Sequence, residues 1–280
     1  MTALLAVGSA ILIGCSDFIG GVVSRRGSAV RVAALAQLIS FVLAVPTAVA
    51  VGATRVTGAD AAWSLVSGVT VAVGLGLFYA AMKNGLISLV APMAAITSAT
   101  VPVIYALARG ERPGTVALTG IVLALCAIAV VSLAPAGAEA RDRANTGTVI
   151  GLSLIAGVFF GAFFICFSRT SEDAGLWPVV LSRAASGGIL VGFALITLGG
   201  LAVGSLIRFV TPMGIAETIA GVALLLALQR GPVAIASVLA SLYPVTTVLL
   251  AAGVLRERLS GVQLTGVVLA LAAVVLVSIP

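Results

Sequence analysis

From Leu4 to Val23 the chain runs through apolar residues interrupted by one charge, Asp17, and runs of this kind recur to its C-terminus. A helix rises about 1.5 Å per residue and the hydrocarbon core of a bilayer is about 30 Å thick, so about 20 apolar residues span it. Cuts at charges, Pro/Gly turns and Asn/Asp clusters give ten spans: Leu4–Val23, Val30–Val51, Ala62–Met82, Leu86–Ala108, Val116–Ala134, Thr148–Phe167, Trp177–Leu198, Pro212–Leu228, Pro232–Val254 and Val262–Ile279. Inside lipid each backbone N–H and C=O must be satisfied within its own segment, which makes such runs helices. The expected fold is therefore all-α: a polytopic membrane protein with ten transmembrane helices. The stretch Gly199–Val210 before the eighth span reads either as a loop or as the extension of a neighbouring helix. The first run has no basic segment ahead of it, is followed by Arg25 and Arg26, and exceeds the apolar core of a signal peptide, so it reads as a retained span.

Composition excludes several functions. The chain is 61% hydrophobic and 9% charged, against about 25% charged residues in soluble domains. Its net charge of +6 comes from Lys and Arg scattered singly or in pairs, not from the concentrated basic face that nucleic acid requires. They fall mostly between apolar runs, as membrane anchors do. Cys15, Cys126 and Cys166 lie inside apolar runs without CxxC spacing, and read as small buried residues and not as metal ligands. There is no histidine for a catalytic triad or zinc site, and Lys83, the only lysine, sits at a span end. No Walker A sequence is present to bind ATP. Neither a catalytic residue nor a cofactor is expected.

The two halves match at a constant offset of 146, the separation of Gln37 from Arg183. ERPGTVALTGIVLALCAIAVVS, from Glu111, aligns without gaps with ERLSGVQLTGVVLALAAVVLVS, from Glu257, and 13 of the 22 positions are identical. Apolar segments share Leu, Val and Ala by chance, but not a Glu-Arg and a Thr-Gly in register. The polar stretch Pro135–Asn145 falls near the midpoint. The expected organisation is a five-helix repeat over residues 1–134, a linker over 135–146 and a second five-helix repeat over 147–280. Five is odd, so the second copy enters the membrane from the opposite side. Two inverted repeats are a secondary-transporter architecture, with the substrate site between them.

The segment ALQRGPVAIASVLASLYPVTTVLLAAGVLRERLSGVQLTGVVLAL resembles the final three helices of EamA-type transporters of the drug/metabolite transporter superfamily. LVAPMAAITSATVPVIYALARGERP resembles the matching helix of the other EamA repeat, and IGCSDFIGGVVSRR the first helix. The run Gly110 to Arg112 is the clearest mark; the second copy departs from it by reading Leu255-Arg256-Glu257-Arg258. The resemblance covers essentially the whole chain. It implies transport of a small molecule across a cell membrane, within a superfamily that carries amino acids, drugs, sugars and other metabolites. It also implies that both termini are cytoplasmic. The basic residues point the other way. That topology leaves nine outside, Arg25, Arg26, Arg31, Lys83, Arg141, Arg143, Arg208, Arg256 and Arg258, and only Arg55, Arg109, Arg112, Arg169 and Arg230 inside.

Three charges lie well within spans: Asp17, Arg183 and Glu217. Each costs about 2.5–3.5 kcal/mol at a helix centre on insertion scales, so each is expected to face the bundle interior, paired or wet. Asp17 shares a face with Gly14 and Gly21, and Glu217 with Gly214 and Gly221. The repeat does not copy these charges: Arg183 corresponds to Gln37, Glu217 to Val71 and Asp17 to Phe163. Such asymmetry suits a polarised substrate or a proton step; the alternative is an ion pair that only holds helices together. Arg183 is expected to pair with Glu217, Asp17 or both, and the guanidinium to favour a substrate bearing a carboxylate. Tyr79, Tyr105, Ser241 and Tyr243 add polar groups for a cavity, and Pro244 removes the N–H that would bond to the carbonyl a turn earlier. Pro92 and Pro102 could do the same in the fourth span. Phe160 and Phe164 either pack between helices or form an apolar wall.

The function expected from these readings is secondary transport: export of a small metabolite, an amino acid or drug-like compound, with protons coupled through Asp17 or Glu217. The partners are the substrate and the lipid bilayer. A lipid carrier or flippase, a channel and, last, an intramembrane enzyme are the alternatives.

Overall fold

In a computed structural model, the described residues are 1–24, 28–84, 87–132, 146–201, 204–254 and 259–278. They form eleven α-helices and no strand: α1 (Thr2–Ser24), α2 (Ala29–Val51), α3 (Gly58–Asn84), α4 (Ile87–Ala108), α5 (Thr115–Ser132), α6 (Thr146–Ser168), α7 (Trp177–Leu198), α8 (Ile207–Arg230), α9 (Val233–Ala240), α10 (Tyr243–Val254) and α11 (Gly261–Ser278). Eight stretches are long and apolar enough to cross a bilayer, with α9 and α10 counted as one; Met93–Ala108 and Thr115–Val131 are shorter apolar runs within α4 and α5. Large apolar side chains such as Ile196, Leu271 and Ile104 stand exposed, a surface suited to lipid. The protein is a polytopic all-α membrane protein.

Two spans differ from the sequence reading. The eighth helix begins at Ile207, five residues before Pro212, so Pro212 lies inside the helix and leaves the Arg208 carbonyl without its intrahelical N–H. The ninth is broken at Ser241–Leu242. Here the Leu242 N–H reaches only to the Leu239 carbonyl (3.2 Å) and the Val245 N–H only to that of Leu242 (3.0 Å). Pro244 has no N–H to offer the Ala240 carbonyl, so the ladder loses that bond at the break. Cys126 is exposed and not buried as expected, on a helix face that suits lipid. The linker Pro135–Asn145 lies outside the described residues.

The helices of the two halves interleave. α1 packs chiefly on α8 and on the α9–α10 pair, while α6 packs on α3 and α4; α2 lies against α7, and α5 against α11. Small residues set the closest approaches, as they do between membrane helices. A Cβ on Gly120 would stand 2.5 Å from Val277, and one on Gly266 the same distance from Val131. Val277 is the repeat equivalent of Val131, and Gly266 that of Gly120. Each position therefore meets the equivalent of the other, which requires α5 and α11 to run antiparallel. Gly68 against Ser182 and Ala185 likewise mirrors Gly214 against Ala36 and Ile39.

One end of the bundle is tied by hydrogen bonds. Asp60 and Thr57 form a capping box at the start of α3: Thr57 N–H and Oγ donate to the Asp60 carboxylate (2.9 and 2.6 Å), and Asp60 N–H donates to Thr57 Oγ (3.2 Å). The other Asp60 oxygen accepts Ser171 N–H at 2.7 Å, and the Asp173 carbonyl accepts Thr54 and Arg55 N–H. Gln229 donates to Thr170 and Ser171, while Glu111 accepts Val233 and Ala234 N–H at the start of α9 (2.9 and 3.1 Å). Thr2 packs at the same end, against Gly231.

Candidate functional site

Four helices, α1, α2, α7 and α8, converge around the intramembrane charges. Arg183 on α7 donates from Nη1 to Gln37 Oε1 on α2 (2.8 Å), and the same nitrogen lies 3.6 Å from Glu217 Oε2 on α8. Its Nη2 donates to the Glu217 backbone carbonyl at 3.2 Å. Gln37 Nε2 donates to Glu217 Oε2 (3.0 Å), Ser16 on α1 donates to Glu217 Oε1 (3.2 Å), and Ser186 donates to Gln37 Oε1 (3.0 Å). Both carboxylate oxygens of Glu217 are thus engaged. Gly221 makes room for the guanidinium, since a Cβ there would stand 3.3 Å from Arg183 Nη2. Closing this network lets a charge pair sit in a medium that solvates neither partner.

Asp17 does not join it. Among the described residues its carboxylate has no hydrogen-bond or ion-pair partner, and it is exposed although protein surrounds it, so it faces a crevice. Glu217 on α8 and Tyr243 on α10 lie close enough to feel its charge. It stands sixteenth in α1, towards the end opposite Thr2 and the tied loops. Gly14, one turn earlier, presses against the Tyr243 carbonyl and Thr246, while Gly21, one turn later, has open space beside it.

Tyr243 follows the helix break directly, beside Ser98 of α4. Ser241 lies at the break itself. It is wholly buried, its N–H bonds to the Ser237 carbonyl (2.9 Å), and its hydroxyl has no partner. The Tyr79 side chain lies outside the described residues, as does that of Pro92. Pro102 is buried within a continuous α4. Phe160 fills the space over Gly74 and meets Phe78 edge-on at 6.1 Å, and Phe163, Phe164 and Phe167 are buried. These rings pack α6 to its neighbours. Sequence reasoning missed Ser16, which directly precedes a named charge, the signal that would have found it. A cleft of about 280 Å³ opens at the tied end between Gly52, Asp173, Gln229 and Arg230, apart from the charged network.

Residues 147–279 match the EamA-like transporter family. A solved chain described as "Crystal structure of protein" is similar over 99% of this chain and 96% of its own, with a TM-score of 0.76 at 18% identity, a likeness that shows the fold. No curated protein matches the chain. Through residues 147–279, just under half of its length, the chain is similar to the EamA-like transporter family, a family of membrane transporters.

Proposed function

We propose that the chain is a secondary transporter that exports a small metabolite across the cell membrane by alternating access of two inverted five-helix repeats, residues 1–134 and 147–280, joined by the linker 135–146. The observation that carries this reading is the Arg183–Gln37–Glu217–Ser16 network, which joins α1 and α2 of the first half to α7 and α8 of the second beside the Asp17 crevice. The reciprocal contacts Gly120–Val277 and Gly266–Val131 support a two-fold axis across the helices, as inverted repeats require. The tied loops support one closed end, and the break at Ser241 supports a site at a discontinuous helix, where transporters bind their cargo.

Coupling to protons is assigned to Asp17 or Glu217, the carboxylates that adjoin the crevice. The test is a metabolite-export screen in cells overproducing the protein, repeated with purified protein in liposomes under imposed proton gradients. Wild type should export a compound that Glu217→Gln and Asp17→Asn variants, inserted at normal levels, export more slowly or without dependence on the gradient. Equal rates and pH profiles in all three would remove the coupling assignment. An uninterrupted ion current would favour the channel alternative.

A further inference from the structure

The geometry points to a substrate that carries a positive charge, a protonated amine or quaternary ammonium, recognised by Asp17 with Tyr243. The inference rests on the transporter reading and reverses the carboxylate expected from Arg183. That guanidinium is already spent on Gln37, on the Glu217 carboxylate and on the Glu217 carbonyl, and it is nearly buried. Glu217 is neutralised by the same pair and saturated by Ser16 and Gln37. Both are committed to each other first, with 11% of the Arg183 side chain and 19% of the Glu217 side chain left exposed.

Asp17 is the charge left over. With Arg183 and Glu217 cancelling, an ionised Asp17 gives the crevice a net charge of −1. The titratable groups around it are Glu217 from α8, which adds no cation, and Tyr243 from α10. The aromatic face of a tyrosine attracts cations and offers an anion nothing. Space exists on the same face, where Gly21 has nothing within 4 Å of a built Cβ. The unpartnered Ser241 hydroxyl, two residues from Tyr243, is a second polar group that no protein atom satisfies. A negative, partly desolvated crevice with a tyrosine nearby concentrates cations and repels carboxylates.

The test reads the crevice charge without knowing the cargo. In a chain whose Cys15, Cys126 and Cys166 are replaced by alanine, a Gly21→Cys thiol one helical turn from Asp17 is modified with a trimethylammonium-ethyl or a sulfonato-ethyl thiosulfonate. The cationic reagent should react faster, by about tenfold or more beyond the ratio seen for a free thiol. Adding Asp17→Asn should return the ratio towards that of the free thiol. A faster anionic reagent, an unchanged ratio with Asp17→Asn, or a thiol inert to both reagents would overturn the proposal. Liposome flux separates it from the reading beneath: uptake of benzoate but not benzyltrimethylammonium keeps the transporter and removes the cation site. Asp17-dependent binding of benzyltrimethylammonium without flux keeps the site and removes the transporter.

Discussion

Gln37 and Arg183 occupy the same position in the two copies of the repeat, 146 residues apart, and their side chains hydrogen-bond to each other at 2.8 Å. A residue that touches its own equivalent lies beside the axis relating the copies. Two arginines there would repel at close range. Arginine in one copy and glutamine in the other make a donor and an acceptor, and the arginine then needs a counter-charge, which Glu217 supplies where the first copy has Val71. The small-residue contacts of the two halves are reciprocal, and their polar side chains are not.

The Arg183–Glu217 pair should behave as one unit. Arg183→Gln and Glu217→Gln each leave a buried charge without its partner, and each should destabilise the protein by about 3–5 kcal/mol. The double variant should lose clearly less than the sum, since neither charge remains. Unfolding in detergent across the four proteins measures this, and strict additivity would show that the two side chains do not interact.

The reciprocal glycines give a symmetric prediction. Gly120→Ala would place a methyl 3.0 Å from the Val277 backbone nitrogen, and Gly266→Ala one 2.6 Å from that of Val131. Backbone cannot swing aside as a side-chain tip can, so each change should cost about 1–3 kcal/mol by overpacking. Gly76→Ala, with nothing within 4 Å, should be neutral or stabilising through helix propensity. Thermal unfolding separates the cases; a tolerated Gly120→Ala beside a damaging Gly266→Ala would contradict the pairing.

Asp60→Ala removes both the cap of α3 and the acceptor for Ser171 N–H. A lost cap alone costs about 0.5–2 kcal/mol. Because the same carboxylate ties α3 to the connection before α7, amide exchange should quicken around Thr170–Gly175 as well as at the start of α3. Exchange confined to α3 would show that the loop is held by Asp173 and Gln229 alone.

Much of this was legible in the residues. The cost of charge in lipid singled out Asp17, Arg183 and Glu217, and the offset tied Arg183 to Gln37 before any geometry. What the sequence could not give was which carboxylate the arginine takes, because Asp17 and Glu217 both stand among small residues. The choice follows from how α1 and α8 are rotated, and a periodic pattern that is apolar on every face does not record rotation. The break at Ser241 was half visible: Pro244 marked a lost bond, but Pro102 marks a similar one in α4 and that helix continues. Cys126 shows the other blind spot, since in a membrane a small apolar residue fits equally at a helix contact and against lipid.

Ser241→Ala tests the broken helix directly. Deleting a hydroxyl that makes a hydrogen bond in a buried site ordinarily costs about 1 kcal/mol, whereas deleting one with no partner removes a desolvated group that nothing satisfies. Ser241 is of the second kind, so the alanine variant should unfold at the wild-type temperature or slightly above it. Ser237→Ala in the same helix is the control, because its hydroxyl bonds to the Val233 carbonyl at 2.6 Å and its loss should cost stability. If the Ser241 hydroxyl is kept for cargo that enters beside Tyr243, transport should fall in Ser241→Ala while stability does not. A thermal melt and a flux assay on the same preparation decide it. A stability loss as large as that of Ser237→Ala would reveal a partner within the protein, and unchanged flux would leave the break at Ser241 a bend with no part in binding.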